Sequence, residues 1–351
     1  MQCSSGVFMH NNYKTNVPEI DDKISSLVNN HFPSENSDIL RQIFTSVTKV
    51  GLESSDTGEM KLLNRNIKEL RYAFRVFSEY RDVRKVVIFG SSRTLENQPE
   101  YQMAEEFSRK IAQKNFMVIT GAGNGIMQAS NKGAGKDHSF GVNILLPIGQ
   151  KPNKFISNDR LINFKYFFTR KLVFLKESDA TVLLPGGFGT LDEGAEVLTL
   201  VQTGKSKPRP IIFLEPEESS FWNEWNNFIK NKLLKNNYIS KEDLSLFQVV
   251  SNVDQAIEEI ENFYSVYHSI RFVKEKTVLR LKKPVPDEII QKLNTSFKDI
   301  LTTGIITTGP PLKGEVKNNE YMDLHRLIML FNRKNFGRLM ELIRFINKNV
   351  S

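Results

Sequence analysis

The sequence predicts an α/β protein built on a doubly wound parallel sheet, preceded by a helical layer and followed by a small α+β appendage. Three observations carry this. From Lys85 to Tyr264, short apolar runs alternate with helix-period segments, the pattern of a parallel sheet covered on both faces. Three of the strands end in Gly/Ser-rich turns, after Phe89, Thr120 and Leu184. From His268 onward the alternation gives way to a different order of strands and helices.

Taken in order, residues 1–17 are polar and aperiodic and predict a disordered N-terminus. Helical patterns follow over Ile20–Phe32, Asp38–Leu52 and Gly58–Tyr80; in the last, Leu62, Leu63, Ile67, Leu70, Phe74 and Phe77 form one apolar face. They define a helical extension over 18–82, packed on the main domain. The domain at 83–264 starts with strand Lys85–Phe89, which ends in Gly90-Ser91-Ser92-Arg93. Helix Glu100–Gln113 and strand Phe116–Thr120 come next. The turn Gly121-Ala122-Gly123-Asn124-Gly125 then leads into helix Met127–Ala134. Strand Ser139–Leu146, a loop over Pro147–Asp159 and strand Leu161–Phe164 precede a helix carrying Phe167, Phe168, Arg170, Lys171 and Phe174. Strand Ala180–Leu184, a helix to about Gln202, strand Pro210–Leu214 and helices near Ser220–Leu234 and Val253–Tyr264 complete it. The segment 265–351 reads as βαββα, with strands over Arg271–Leu281, Gly304–Thr308 and His325–Phe331 and helices over Asp287–Leu301 and Phe336–Asn347.

Composition narrows the function classes. A single cysteine, Cys3, excludes an intrachain disulfide framework and a cysteine-based metal site, and it fits a reducing cytoplasm. The five histidines, His10, His31, His138, His268 and His325, have no metal-ligand spacing. No lysine stands in a pattern that marks a covalent cofactor, so neither metal nor cofactor is predicted. The N-terminus lacks a secretory pattern and no apolar run reaches spanning length, which predicts a soluble cytoplasmic protein without a membrane partner. The net charge of +8 belongs to residues 265–351, where 16 Lys/Arg face 8 Asp/Glu. These basic residues are interleaved with acids and match no nucleic-acid module, so a solvated or subunit-contacting domain is favoured over a nucleic-acid surface or a regulatory nucleotide site.

The most informative stretch is Pro185-Gly186-Gly187-Phe188-Gly189-Thr190-Leu191-Asp192-Glu193, set between a buried strand and a helix. Gly186, Gly187 and Gly189 let a ligand approach the main chain, and the first helix amides favour an anion, above all a phosphate. Thr190 adds a hydroxyl. Glu193 lies about one turn deeper, where it would face the ring of a phosphorylated sugar. A bare strand-to-helix connection needs the glycines alone. The spacing is neither that of a Walker P-loop nor that of a dinucleotide turn.

These residues, with Thr120-Gly121-Ala122-Gly123-Asn124-Gly125-Ile126-Met127, Arg170-Lys171 and Leu198-Thr199-Leu200-Val201-Gln202-Thr203-Gly204-Lys205, resemble the Lonely Guy family. Its members were long labelled lysine decarboxylases, and characterised ones are nucleoside 5′-monophosphate phosphoribohydrolases. The resemblance spans roughly Lys85–Tyr264. It implies a Rossmann-like fold, a homodimer or higher homo-oligomer, and cleavage of the N-glycosidic bond of AMP or a cytokinin-type nucleotide to free base and ribose 5-phosphate. Carried over by position, Arg170 and Glu193 are catalytic, and Gly186, Gly187, Gly189 and Thr190 bind phosphate. Ser91, Gly121, Gly123, Gly125 and Lys171 contact substrate. The chain departs from the family pattern at Asn124, Gln128 and Gly149, which bears on base selection. The rival reading is a nucleotide or molybdopterin-type carrier or sensor that uses the same pocket without catalysis.

Overall fold

The computed structural model describes residues 13–32, 35–53, 56–147, 151–316, 319 and 321–350. The chain divides into two compact units, Met1–Lys68 and Glu69–Ser351. The first holds α1 (Pro18–His31), α2 (Ser37–Glu53) and the start of α3 (Thr57–Ser78). Proline at the first turn of α1 suits the position, because its missing N–H would have had no intrahelical partner. Composition predicts disorder through residue 17, yet Thr15 is buried, and its amide and hydroxyl each donate to Asp21 Oδ1 at 2.9 Å. A local side-chain bond orders what hydropathy cannot register. Residues 1–12 of that stretch lie outside the described residues.

The second unit contains β1 (Lys85–Phe89), α4 (Pro99–Gln113), β2 (Met117–Thr120), α5 (Ile126–Ala134), β3 (Ser139–Ile144), β4 (Leu161–Phe164) and α6 (Phe167–Glu177). Then come β5 (Ala180–Leu183), α7 (Phe188–Gln202), β6 (Ile211–Leu214), α8 (Phe221–Phe228), β7 (Gln248–Val250) and α9 (Val253–Phe263). These seven strands form one parallel sheet in the order β4-β3-β2-β1-β5-β6-β7. The winding reverses between β1 and β5, whose registers pair Ile88 with Val182 and Phe89 with Leu183. A doubly wound sheet opens a crevice at that switch point, beyond the carboxyl ends of its strands.

Alternation along β1 shows how the two cores form. Val86 and Ile88 join Tyr101, Phe107 and Ile260 on the face covered by α4, α5 and α9. Val87 and Phe89 join Phe140, Phe174 and Phe213 on the face covered by α6 and α7. With both faces buried, the strands read as continuous apolar runs. The C-terminal end of the apolar face in α3 supplies Ala73 and Phe77 to the second core, where Phe77 stacks on Phe140 at 4.5 Å. Each such large side chain contributes roughly 1.5–3 kcal/mol when fully buried. The centre of the sheet is therefore a rigid platform for its loops.

The C-terminal region differs from the expected βαββα order. It runs β8 (Tyr267–Val273), β9 (Lys276–Leu281), α10 (Asp287–Ser296), β10 (Thr307–Thr308), α11 (Lys313–Val316), β11 (His325–Met329) and α12 (Phe336–Asn349). The strand expected over 271–281 is a hairpin, closed by the pair Val273–Lys276. Its turn, Lys274-Glu275, has Lys274 at φ 55° and contains none of the Gly or Asn that marks such turns. Arg333 holds it by donating to the Lys274 carbonyl. The helix expected to reach Leu301 stops at Ser296, and Leu301 instead bridges to Phe331. The antiparallel sheet, ordered β10-β11-β9-β8, buries Leu279, Leu281, Leu327 and Met329 in the same core cluster as the parallel sheet's second face. Among the described residues, no helix is long and apolar enough to cross a membrane.

Candidate functional site

At the switch point the turn after β1 meets the turns after β5 and β2. Ser91 is where the three join, through its main chain alone. Its amide donates to the Pro185 carbonyl at 3.1 Å, and its carbonyl accepts from the Ile126 amide at 3.0 Å. Two glycines make this approach sterically feasible. A Cβ on Gly125, which has φ 62°, would lie 2.3 Å from the Ser91 carbonyl oxygen. One on Gly186 would lie 2.2 Å from Thr190 Oγ1 and 2.9 Å from the Ser91 amide nitrogen. Such distances are impossible for a methyl group, so any larger residue must push the turns apart.

Between these turns lies a cleft of about 720 Å3. Its floor is Gly186 to Glu193, the turn into α7 and the first turns of that helix. Gly187 stands at the helix cap and has no side chain with which to satisfy the amides that follow. Gly187 and Gly189 are exposed, and a Cβ on either would touch nothing. Packing does not demand glycine at these two positions; their smallness clears space above the helix start. The positive end of the helix dipole faces that space.

Arg170 and Glu193, 23 residues apart in sequence, both line this cleft. Gly121 leaves room for the arginine, since a Cβ there would sit 3.2 Å from Arg170 Nη2. The guanidinium carbon lies 5.5 Å from the Phe167 ring centre and 5.0 Å from that of Phe174. Among the described residues its Nε, though buried, has no hydrogen-bond partner. Burial pulls its pKa below the usual arginine range, and Glu193 acts in the opposite sense. Glu193 is 8% exposed, and burial pushes its carboxyl up to about 7. Lys171 and Arg170 oppose that rise and Glu196 adds to it. A buried carboxyl that titrates near neutrality, beside an arginine with unused donors, is suited to chemistry on a bound group.

Of the other residues singled out from sequence, Ser91, Gly186, Gly187, Gly189 and Thr190 also line the cleft, whereas Gly123, Gly125 and Lys171 do not. Gly123 accepts from Asn153 Nδ2 at 3.0 Å, Gly125 serves the junction at Ser91, and Lys171 turns towards acids on α7. Of the departures, Asn124 is exposed, and Gln128 donates to Glu96 at 3.0 Å and to Tyr101 at 3.2 Å, away from the cleft. Gly149 lies outside the described residues.

Four further lining residues escape a reading by motif: Arg93, Phe167, Phe188 and Phe221. The three phenylalanines are the first residues of α6, α7 and α8, exposed by 53%, 94% and 38%. Phe167 precedes Arg170 by three residues, the interval that places two side chains on one helix face, and that spacing was the available signal. Phe188 stands inside the glycine turn, where only the glycines draw attention.

Fold and cleft define a Rossmann-like α/β protein with a cleft at its switch point. The family model described as "Possible lysine decarboxylase" matches residues 125–260. A probable cytokinin riboside 5′-monophosphate phosphoribohydrolase of Oryza sativa subsp. japonica is 26% identical over 205 residues, covering 57% of this chain and 78% of that protein. An uncharacterized protein of Archaeoglobus fulgidus is 30% identical over 125 residues, covering 34% of this chain and 82% of its own. Among solved structures, the molybdenum cofactor binding protein of Rippkaea orientalis aligns with TM-score 0.37 at 20% identity, covering 51% of this chain and 96% of that one. Over about half its length the chain is thus similar to cytokinin riboside 5′-monophosphate phosphoribohydrolases of the Lonely Guy type.

Proposed function

We propose that the protein is a nucleoside 5′-monophosphate phosphoribohydrolase. Water adds to the anomeric carbon, the N-glycosidic bond breaks, and the base leaves with a proton, giving free base and ribose 5-phosphate. AMP and cytokinin-type nucleotides, the substrates implied by the resemblance, are the first to test. The observation that carries the reading is the single cleft shared by the start of α7, Arg170 and Glu193. In it the 5′-phosphate rests on Gly186, Gly187, Gly189 and Thr190, with the helix dipole behind them. That anchor presents the ribose to Glu193, whose ionised carboxylate stabilises the oxocarbenium-like sugar as the bond breaks. The unused donors of Arg170 serve the departing base, which rests against Phe167, Phe188 and Phe221. Stacking on aromatic rings contributes about 1–3 kcal/mol per base.

The homo-oligomer implied by the resemblance is part of this proposal. Phe168 and Leu172, both more than half exposed on α6, offer an apolar surface for it.

A panel of AMP, GMP, CMP, IMP and a cytokinin nucleotide, assayed for free base by chromatography, tests the reading. Release of base with equimolar ribose 5-phosphate is expected from at least one of them. Tight binding without release from any of them would instead support the carrier or sensor.

A further inference from the structure

Lys171 follows Arg170 on α6, about 100° further round the helix, and its ammonium reaches three carboxylates on α7. Nζ lies 2.8 Å from Asp192 Oδ2, 2.9 Å from Glu196 Oε2 and 3.4 Å from Glu193 Oε2. An ammonium has three N–H donors, and here each has an acceptor of opposite charge. The Lys171 and Glu193 side chains are 14% and 9% exposed, so water and salt screen their pairing little. Asp192 and Glu196 bracket Glu193 in sequence, and by gripping both of them Lys171 ties the first turns of α7 to α6.

We infer that Lys171 is a positioning residue, which fixes the Glu193 carboxylate at the sugar end of the cleft without touching substrate. This rests on the hydrolase reading for its catalytic meaning, though not for its geometry. The charged groups facing Glu193 are Arg170 and Lys171 from α6 and Glu196 from its own helix. Burial and Glu196 favour the protonated acid, while the two cations favour the carboxylate. Lys171 also contributes a hydrogen bond to the charged form. Its removal leaves Arg170 alone against burial and a neighbouring acid.

The test compares the wild type, Lys171→Met and Lys171→Arg, since methionine keeps the apolar stem and arginine keeps the charge. Base release from the preferred nucleotide should rise with pH as Glu193 ionises. In Lys171→Met that limb should move upward by about one pH unit, with kcat at pH 7 reduced roughly fivefold, recovery at pH 9 and KM nearly unchanged. Lys171→Arg should restore most of the wild-type profile. A raised KM with the limb in place would make Lys171 a substrate ligand and overturn the inference. A pH-independent loss of kcat with lower stability would make it purely structural, with the same effect. A second readout is independent of turnover: the carboxyl carbon of Glu193, assigned in NMR spectra by its absence in Glu193→Gln, should titrate at higher pH in Lys171→Met. If that titration moves while no nucleotide is cleaved, the hydrolase reading fails and the positioning role stands. If it stays in place, the positioning role fails whatever the turnover.

Discussion

Of the helices that begin at the carboxyl edge of the parallel sheet, two have their first amides treated in opposite ways. At the start of α8, Glu215 stands directly after β6 and is fully buried. Its carboxylate accepts from the Trp222 and Asn223 amides at 2.8 and 3.0 Å, from Asn223 Nδ2 at 2.8 Å and from Ser219 Oγ at 3.0 Å. The protein supplies its own anion there. At the start of α7, the corresponding turn holds Pro185, Gly186 and Gly187, and the cap residue, Gly187, has no side chain to offer. One strand-to-helix connection is thus capped by a carboxylate, and the other has glycine at its cap. The contrast teaches that a helix start becomes a site through what the preceding turn withholds.

The contrast can be broken at three places. The largest effect is expected at Glu193. Glu193→Ala should lower base release by roughly 10²–10³-fold or more, the scale on which charge-stabilising groups act, with the fold intact. Stability at pH 8 should equal or exceed that of the parent. The sign follows from the raised carboxyl. A group whose folded-state pKa lies above its unfolded value stabilises at pH below the unfolded pKa, and that contribution is lost as pH rises through the folded one, here from about 4.5 to about 7. Urea denaturation at pH 5 and pH 8 checks it; full activity in the variant ends the assignment.

Glu215→Ala should do the reverse and attack stability. It leaves the buried Trp222 amide, and the half-covered Asn223 amide and side chain, without their acceptor, which costs about 1–3 kcal/mol. A fall in the urea midpoint at constant slope is the expected result, and a loss below 0.5 kcal/mol would show that the start of α8 does not depend on its carboxylate.

The smallest effect is expected from Gly186→Ala, which must displace Thr190 Oγ1 or the Ser91 main chain. Affinity for ribose 5-phosphate, measured by calorimetry, should fall about tenfold, and the urea midpoint should fall as well because the turns are pushed apart. Unchanged affinity would detach the phosphate from this turn.

Much of this was open to reading because it depends on local chemistry. Strand and helix alternation, burial of the strands on both faces and the glycine turns are written in runs of a few residues, and most ranges over 85–264 follow them, although β7, three half-buried residues at the sheet edge, does not read as a strand. What escaped depends on partners distant in sequence or on conformations without a residue signature. The Lys274-Glu275 turn carries no Gly or Asn, so two strands read as one. Thr15 is ordered by Asp21, six residues away. Arg170 and Glu193 were legible as a pair through the family resemblance, but the three ion pairs of Lys171 were not. They depend on the azimuth between α6 and α7, which residue order alone does not fix.

The junction at Ser91 has a consequence for how the cleft tolerates change. Both of its bonds are made by main-chain atoms, so exchanging the side chain at position 91 for anything but proline leaves the fastening untouched. The weak points lie elsewhere, at Gly125 and Gly186, where no side chain fits. Side chains lining the cleft can therefore vary while these junctions hold, and a shape already set by the main chain would spare any ligand the entropy of assembling it on binding.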